Sequence, residues 1–397
     1  MTKNKPYLSG RHFLQIPGPT NVPERVLRAI GKVTIDHRGP GFADLACRIS
    51  ERLKPIFGTA NPVVIFPSSG TGAWEAALVN TLSPGDRVLM FETGHFAALW
   101  SRMAEKLNLN VDWVPGNWRR GVDPVVVEEK LTSDKDHTIR AVMVIHNETS
   151  TGVASDIAKV RDAMNRAGHP ALLMVDTISS LASMIYCHDQ WGVDVTVGCS
   201  QKGLMLPPGL GFNAISGKAL KASKTAELTR SYWDWGPLLD GIPGGSFPYT
   251  PATNLLYGLE EALNMLEEEE LEHVFTRHDR LSEATRRATN AWGLELCCLD
   301  PSAYSSTLTA IMVPNPFNAD TVRQIILERF EMSLGTGLGK MQGKLFRIGH
   351  LGDLNDLTLA GTLCGVEMGL KIAGIPHQTG GVDEALTYLA DTEDGPA

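Results

Sequence analysis

Lys202 is the sole charge in GCSQKGLMLPPG, residues 198–209. Small residues precede it, and apolar residues and two prolines follow. A surface lysine ordinarily lies among polar neighbours. An amine held among uncharged residues loses solvation, its pKa falls, and its lone pair becomes available to attack a carbonyl. Upstream, Asp176 ends the apolar run ALLMVD, residues 171–176, where a carboxylate is costly without a partner. It can hold a cationic ring nitrogen, or it can cap the helix that follows. A lysine and an upstream aspartate, each just past a strand end, form the constellation that pyridoxal phosphate (PLP) requires. The amine captures the aldehyde, and the acid keeps the ring nitrogen protonated so that the ring accepts electrons.

Four further segments carry groups suited to such a site. In SSGTGAWEAAL (68–78), small polar residues run straight into a helix, whose free N–H groups and dipole attract an anion. Ser69, Gly70 and Thr71 are the candidates for a phosphate; plain helix capping is the alternative. Phe96, in TGHFAALW, can stack on a planar ligand or begin a helix as a core residue. Thr149, in NETSTG (147–152), can donate to a ring oxygen or belong to an ordinary turn. Arg347 lies in the apolar stretch KLFRIGHLG, where a guanidinium needs an anion. A substrate carboxylate would be bound bidentately; a structural salt bridge is the competing reading.

The elements that must position these groups are legible as alternating strands and helices. Strands are expected at 63–66, 87–92, 111–114, 141–146, 171–176, 194–198 and 211–216, most of them continuous apolar runs of the kind buried on both faces of a parallel sheet. Helices are expected at 72–82, 95–108 and 156–168. This is an α/β fold with a doubly wound, mostly parallel sheet, and ligands of such sheets lie outside the carboxyl ends of the strands. A long helical stretch from Thr253 toward Asn290 holds EEEE (267–270), read as a solvated helix end or turn. Strands near 308–313 and 344–350 and helices near 319–331 and 355–373 then suggest a smaller α+β domain. We expect an N-terminal arm (1–22), a large domain (23–270), a small domain (271–397) and a frayed tail, DTEDGPA.

Composition limits the alternatives. The 397 residues carry a formal net charge of −9, which disfavours a general nucleic-acid binder. The six cysteines form no CxxC pair, so neither a zinc site nor a disulfide framework is indicated, and a cytoplasmic location is expected. No secretory h-region and no apolar run long enough to span a membrane is present. Two other readings stay open. A lyase or desulfurase of the same fold would need a reactive cysteine, with Cys297 and Cys298 as candidates. A nucleotide-binding α/β protein would lack PLP chemistry altogether, but neither GxGxxG nor a Walker loop is found.

In the order IPGPTNVP (16–23), SSGTGAWEAALVNTLSPGD (68–86), HNETSTGV (146–153), VDTISSL (175–181), CSQKGLMLPPG (199–209), YTP (249–251) and GKLFRIGHLG (343–352), the chain resembles class V, fold-type I PLP-dependent aminotransferases. More narrowly it resembles the serine–glyoxylate, alanine–glyoxylate and aspartate–glyoxylate branch. The resemblance implies ping-pong transfer of an amino group, from serine or aspartate, to glyoxylate. Lys202 would carry the cofactor covalently and move the substrate Cα proton, and Asp176 would pair with the ring nitrogen. Phe96 would stack on the ring and Thr149 touch its hydroxyl. Ser69, Gly70, Thr71 and Gln201 would contact the phosphate. Thr250 would reach the phosphate of a neighbouring subunit in a homodimer with shared sites. Arg347, with backbone near Pro17, Gly18 and Pro19, would bind the substrate carboxylate. The chain departs from the alanine–glyoxylate type in having Thr71 where those enzymes carry histidine. Within 230–251, Trp233 and Trp235 would shape the donor pocket or pack the dimer.

Overall fold

The computed structural model describes residues 10–392. Its larger sheet has seven strands: β2 (Val63–Ser68), β3 (Arg87–Phe91), β4 (Asn110–Val114), β5 (Ile139–Ile145), β6 (Leu172–Asp176), β7 (Val195–Cys199) and β8 (Gly209–Ile215). The order across it is β2-β8-β7-β6-β5-β3-β4. All neighbours are parallel except β8, which runs antiparallel to both β7 and β2. Each strand coincides with one expected from the sequence.

Both faces are buried over the central strands, which is why most of these read as apolar runs; the edge strand β4 is only half-buried. In β5, Ala141, Met143 and Ile145 enter a core with the helices Gly70–Thr81 and His95–Lys106. Val142 and Val144 enter the opposite core with the helices Pro124–Ser133 and Ile157–Arg166. Burying each such side chain stabilises the fold by roughly 1.5–3 kcal/mol. The carboxyl ends of the six strands other than β8 are thereby set at one rim of a rigid layer.

A second sheet has five strands: β1 (Phe13–Gln15), β9 (Glu295–Leu296), β10 (Leu308–Met312), β11 (Met332–Thr336) and β12 (Leu345–Gly349), in the order β1-β11-β12-β10-β9. Residues 13–15, expected only as part of an arm, form its edge by pairing in parallel with β11. One face packs on the helices Leu271–Ala291, Ala319–Phe330, Asp356–Ile372 and Gly381–Asp391. The stretch read as one long helix is two, Thr253–Glu269 and Leu271–Ala291. Glu270, with φ 66°, breaks it at the acidic run. Among the described residues no helix is long and apolar enough to cross a membrane. The tail expected to fray lies outside the described residues from 393 onward.

Candidate active site

The carboxyl ends of β2, β5, β6 and β7 converge on a cavity of about 180 Å³. Lys202 is 8 % exposed and lines it. Its Nζ donates to the Pro17 carbonyl, and burial lowers its pKa to about 8. The loop holding it is pinned at both ends: Ser200 Oγ donates to the Pro207 carbonyl and accepts the Leu210 N–H. The N-terminal segment clamps it from the other side. The Thr20 hydroxyl donates to the Lys202 carbonyl at 3.1 Å. Gly18 has φ 87°, and a Cβ there would fall on the Lys202 side chain. Only glycine lets the two segments approach so closely.

Asp176 is 3 % exposed, and burial raises its pKa to about 7. Its Oδ1 accepts the Ile178 N–H at 2.6 Å and its Oδ2 accepts Trp74 Nε1–H at 2.8 Å. Trp74 is itself stacked on Trp100, with centroids 5.7 Å apart. The carboxylate therefore both caps its turn and faces the cavity. Ser69 is the N-cap of the helix Gly70–Thr81, yet its hydroxyl makes no capping bond. The first N–H groups of that helix have no intrahelical acceptor and open toward the cavity, which Ser69, Gly70 and Thr71 line. Gln201 lines it too, and its Oε1 is buried without a partner.

Phe96 forms part of the wall. Its helix start is capped by a residue the sequence reading passed over, Glu148. Glu148 Oε1 accepts the Phe96 N–H and Ser150 Oγ–H, and Oε2 accepts the Ala97 N–H. Thr149 donates to Ser179 Oγ at 2.8 Å, and its carbonyl accepts Arg347 Nη1–H at 2.6 Å. Arg347 Nε donates to the Thr336 carbonyl. The guanidinium is 6 % exposed, and burial lowers its pKa to about 10. Among the described residues it forms no ion pair; its partners are carbonyls, so the salt-bridge reading of Arg347 does not hold. Arg347 is not itself part of the cavity wall; it adjoins the wall through its bond to the carbonyl of Thr149, which is part of it.

Pro19 lines the cavity with Gly18, and Pro17 enters through its carbonyl. Thr250 is exposed and lies outside this cavity. Trp74, Ile145, Asn147 and Ile178 complete the wall and were not singled out from the sequence. Trp74 was findable as the residue one helical turn beyond Gly70; Asn147 stood inside a segment already noted. Trp235 is 1 % exposed and bonds Asn213, while Trp233 bonds Glu75 and meets Phe66 edge to face. Both pack. Cys297 and Cys298 are buried, and burial raises the Cys297 pKa to about 12, which removes the thiolate a desulfurase needs. No cluster suited to a metal ion occurs among the described residues.

A desolvated amine facing a buried acid, at the carboxyl rim of this sheet, is the arrangement of a fold-type I PLP-dependent transferase. The model of the family Aminotransferase class-V matches residues 12–338, and the chain belongs to that family. It is 48 % identical over 389 residues to a serine–glyoxylate aminotransferase of Methylorubrum extorquens, covering 96 % of this chain and 97 % of that one. It is 45 % identical over 387 residues to an L-aspartate–glyoxylate aminotransferase of Paracoccus denitrificans, covering 97 % and 98 %. Among solved structures, pyridoxamine–pyruvate aminotransferase from Mesorhizobium loti superposes with a TM-score of 0.91 at 26 % identity, covering 97 % and 98 %.

Proposed function

We propose that the protein transfers the amino group of a small amino acid, serine before aspartate, to glyoxylate, giving glycine and an oxo acid by a ping-pong route. The observation that carries the reading is the desolvated amine of Lys202 facing the same cavity as the buried acid Asp176. The chain's likeness to serine–glyoxylate and aspartate–glyoxylate aminotransferases supports the choice of glyoxylate.

The residues fit PLP. Ser69, Gly70 and Thr71 offer an uncapped helix terminus, and Gln201 lines the same cavity, where its amide NH2 would donate to the phosphate. Phe96 would face the ring, Thr149 its oxygen and Asp176 its nitrogen. When bound, PLP supplies the aldehyde that Lys202 captures and the ring that accepts electrons. Lys202 Nζ, with its pKa near 8, takes and returns the proton at the substrate Cα. The Pro17 carbonyl orients that amine. Arg347 holds the substrate carboxylate, helped by the backbone of Pro17, Gly18 and Pro19. Thr250, exposed here, would complete the phosphate site of a second chain in a homodimer. We retain the division into an arm, a large domain and a small domain at residues 22 and 270, and a cytoplasmic setting for six unpaired cysteines.

The preference for serine comes from the fates of three cations. Arg38 is exposed. Arg230 donates to the carbonyls of Val79, Ala226 and Ser223. Lys340 pairs with Glu92. None of the three lines the cavity that holds Lys202 and Asp176, so none stands there to receive a side-chain carboxylate. In a panel of serine, alanine, aspartate and 3-hydroxyaspartate with glyoxylate, serine is expected to exceed aspartate in kcat/KM by about tenfold or more, read as glycine formed. Turnover with pyruvate alone as acceptor would refute the assignment.

A further inference from the structure

Arg347 lies on the face of the five-stranded sheet that its helices do not cover. Register pairs Arg347 with Ala310 and Gly349 with Leu308, and residues two apart on a strand share a face. Leu308, Ala310, Leu345 and Arg347 thus form one surface, while Ile311, Phe346 and Ile348 fill the helix-covered core. The loop after β4 covers that surface. Trp118, 4 % exposed, joins Cys297, Leu308, Ala310, Met341 and Leu345 in one buried cluster. Its φ is 65°, uncommon for a bulky residue and kept only where the surroundings over-determine it.

The other edge of the indole reaches the seven-stranded sheet. Trp118 Nε1–H donates to Glu92 Oε1 at 3.0 Å. Glu92 directly follows β3 and opens the turn that leads to Phe96. Its Oε2 accepts the Gly116 N–H at 3.2 Å. Lys340, from the segment between β11 and β12, pairs with the same carboxylate and lies 5.6 Å over the Trp118 ring. Gly339 permits this approach, since a Cβ there would come within 2.9 Å of the ring. One side chain therefore touches both the strand that carries Arg347 and the turn that carries the aromatic wall of the cavity.

We propose that Trp118 is a positioning residue for the substrate carboxylate: it fixes the Arg347 strand against the Glu92–Phe96 turn, so that the guanidinium is held at the right depth over the cavity. This rests on the reading of Arg347 as the carboxylate handle. The test uses the full chain with PLP bound. It measures the Kd of glycolate, a carboxylate with no amino group to transfer, by the change in cofactor absorbance, alongside KM, kcat and Tm. Trp118→Phe keeps the aromatic bulk and removes the N–H. It is expected to raise the glycolate Kd and the KM of both substrates about tenfold, with kcat changed less than about threefold. Lys340→Met, at an exposed side chain, is expected to shift both constants in the same direction by about twofold. Unchanged Kd and KM in Trp118→Phe, or a fall in kcat and Tm with KM constant, would overturn the proposal. Should Trp118→Phe prove unstable, an unchanged Lys340→Met would overturn it alone. Arg347→Leu separates the two ideas. If it abolishes glycolate binding while Trp118→Phe leaves it intact, the coupling fails and the handle stands; if it binds glycolate normally, both fall.

Discussion

Lys202→Ala is expected to lose transamination by about 10⁴-fold or more, because one amine supplies both the covalent link to the cofactor and the proton transfer at Cα. The protein should still fold. The lysine is buried and, among the described residues, makes no ion pair, so its removal takes away a costly buried amine along with the bond to the Pro17 carbonyl. PLP should still bind, since the helix terminus at Ser69–Thr71, the Gln201 amide and Asp176 are untouched. Single-turnover kinetics with a small added amine should recover part of the rate, because the missing group is a proton carrier. A Lys202→Ala protein that bound PLP and kept full turnover would refute the assignment of this residue.

Asp176→Asn is expected to lower kcat by about 10²–10³-fold, with KM changed little. The substitution preserves shape and leaves an oxygen for the Ile178 N–H. It removes the negative charge facing the cavity, and with that oxygen kept on Ile178 it sets the amide NH2 against the Trp74 N–H, which loses its acceptor. The carboxylate matters because its negative charge can pair with a protonated ring nitrogen, and that cation in turn favours the charged form of the buried acid. An amide of the same shape has no such charge. The measurement is kcat with serine and glyoxylate, together with the absorbance of the bound cofactor, which should shift as the ring nitrogen loses its proton. Turnover within twofold of the natural protein would remove Asp176 from the mechanism.

How much of this was legible in the sequence follows from which interactions are local. Most strands of the larger sheet were readable because burial on both faces writes an apolar run into them, while the half-buried β4 was read from the β-rich VDWV. Strands β1 and β11 were not, since FLQ and MSLGT carry no such pattern and take their strand character from their partners. The strand-end rule brought Ser69, Phe96, Thr149, Asp176 and Lys202 to one rim from sequence alone. It could not bring Pro17 to Lys202, a contact across 185 residues that depends on the N-terminal segment returning over the sheet. Nor could it show that Glu148 caps the helix bearing Phe96, because a carboxylate in a polar turn reads as solvent-facing. Arg347 was ambiguous until its partners proved to be carbonyls and not carboxylates.

Borohydride reduction of the native protein with PLP, followed by peptide mass mapping, asks whether the cofactor is joined to the chain and where. Covalent attachment at Lys202 predicts the reduced-cofactor mass on the peptide containing that residue and loss of the visible absorbance in step. Label on any other lysine, or none at all in a catalytically competent preparation, would contradict it.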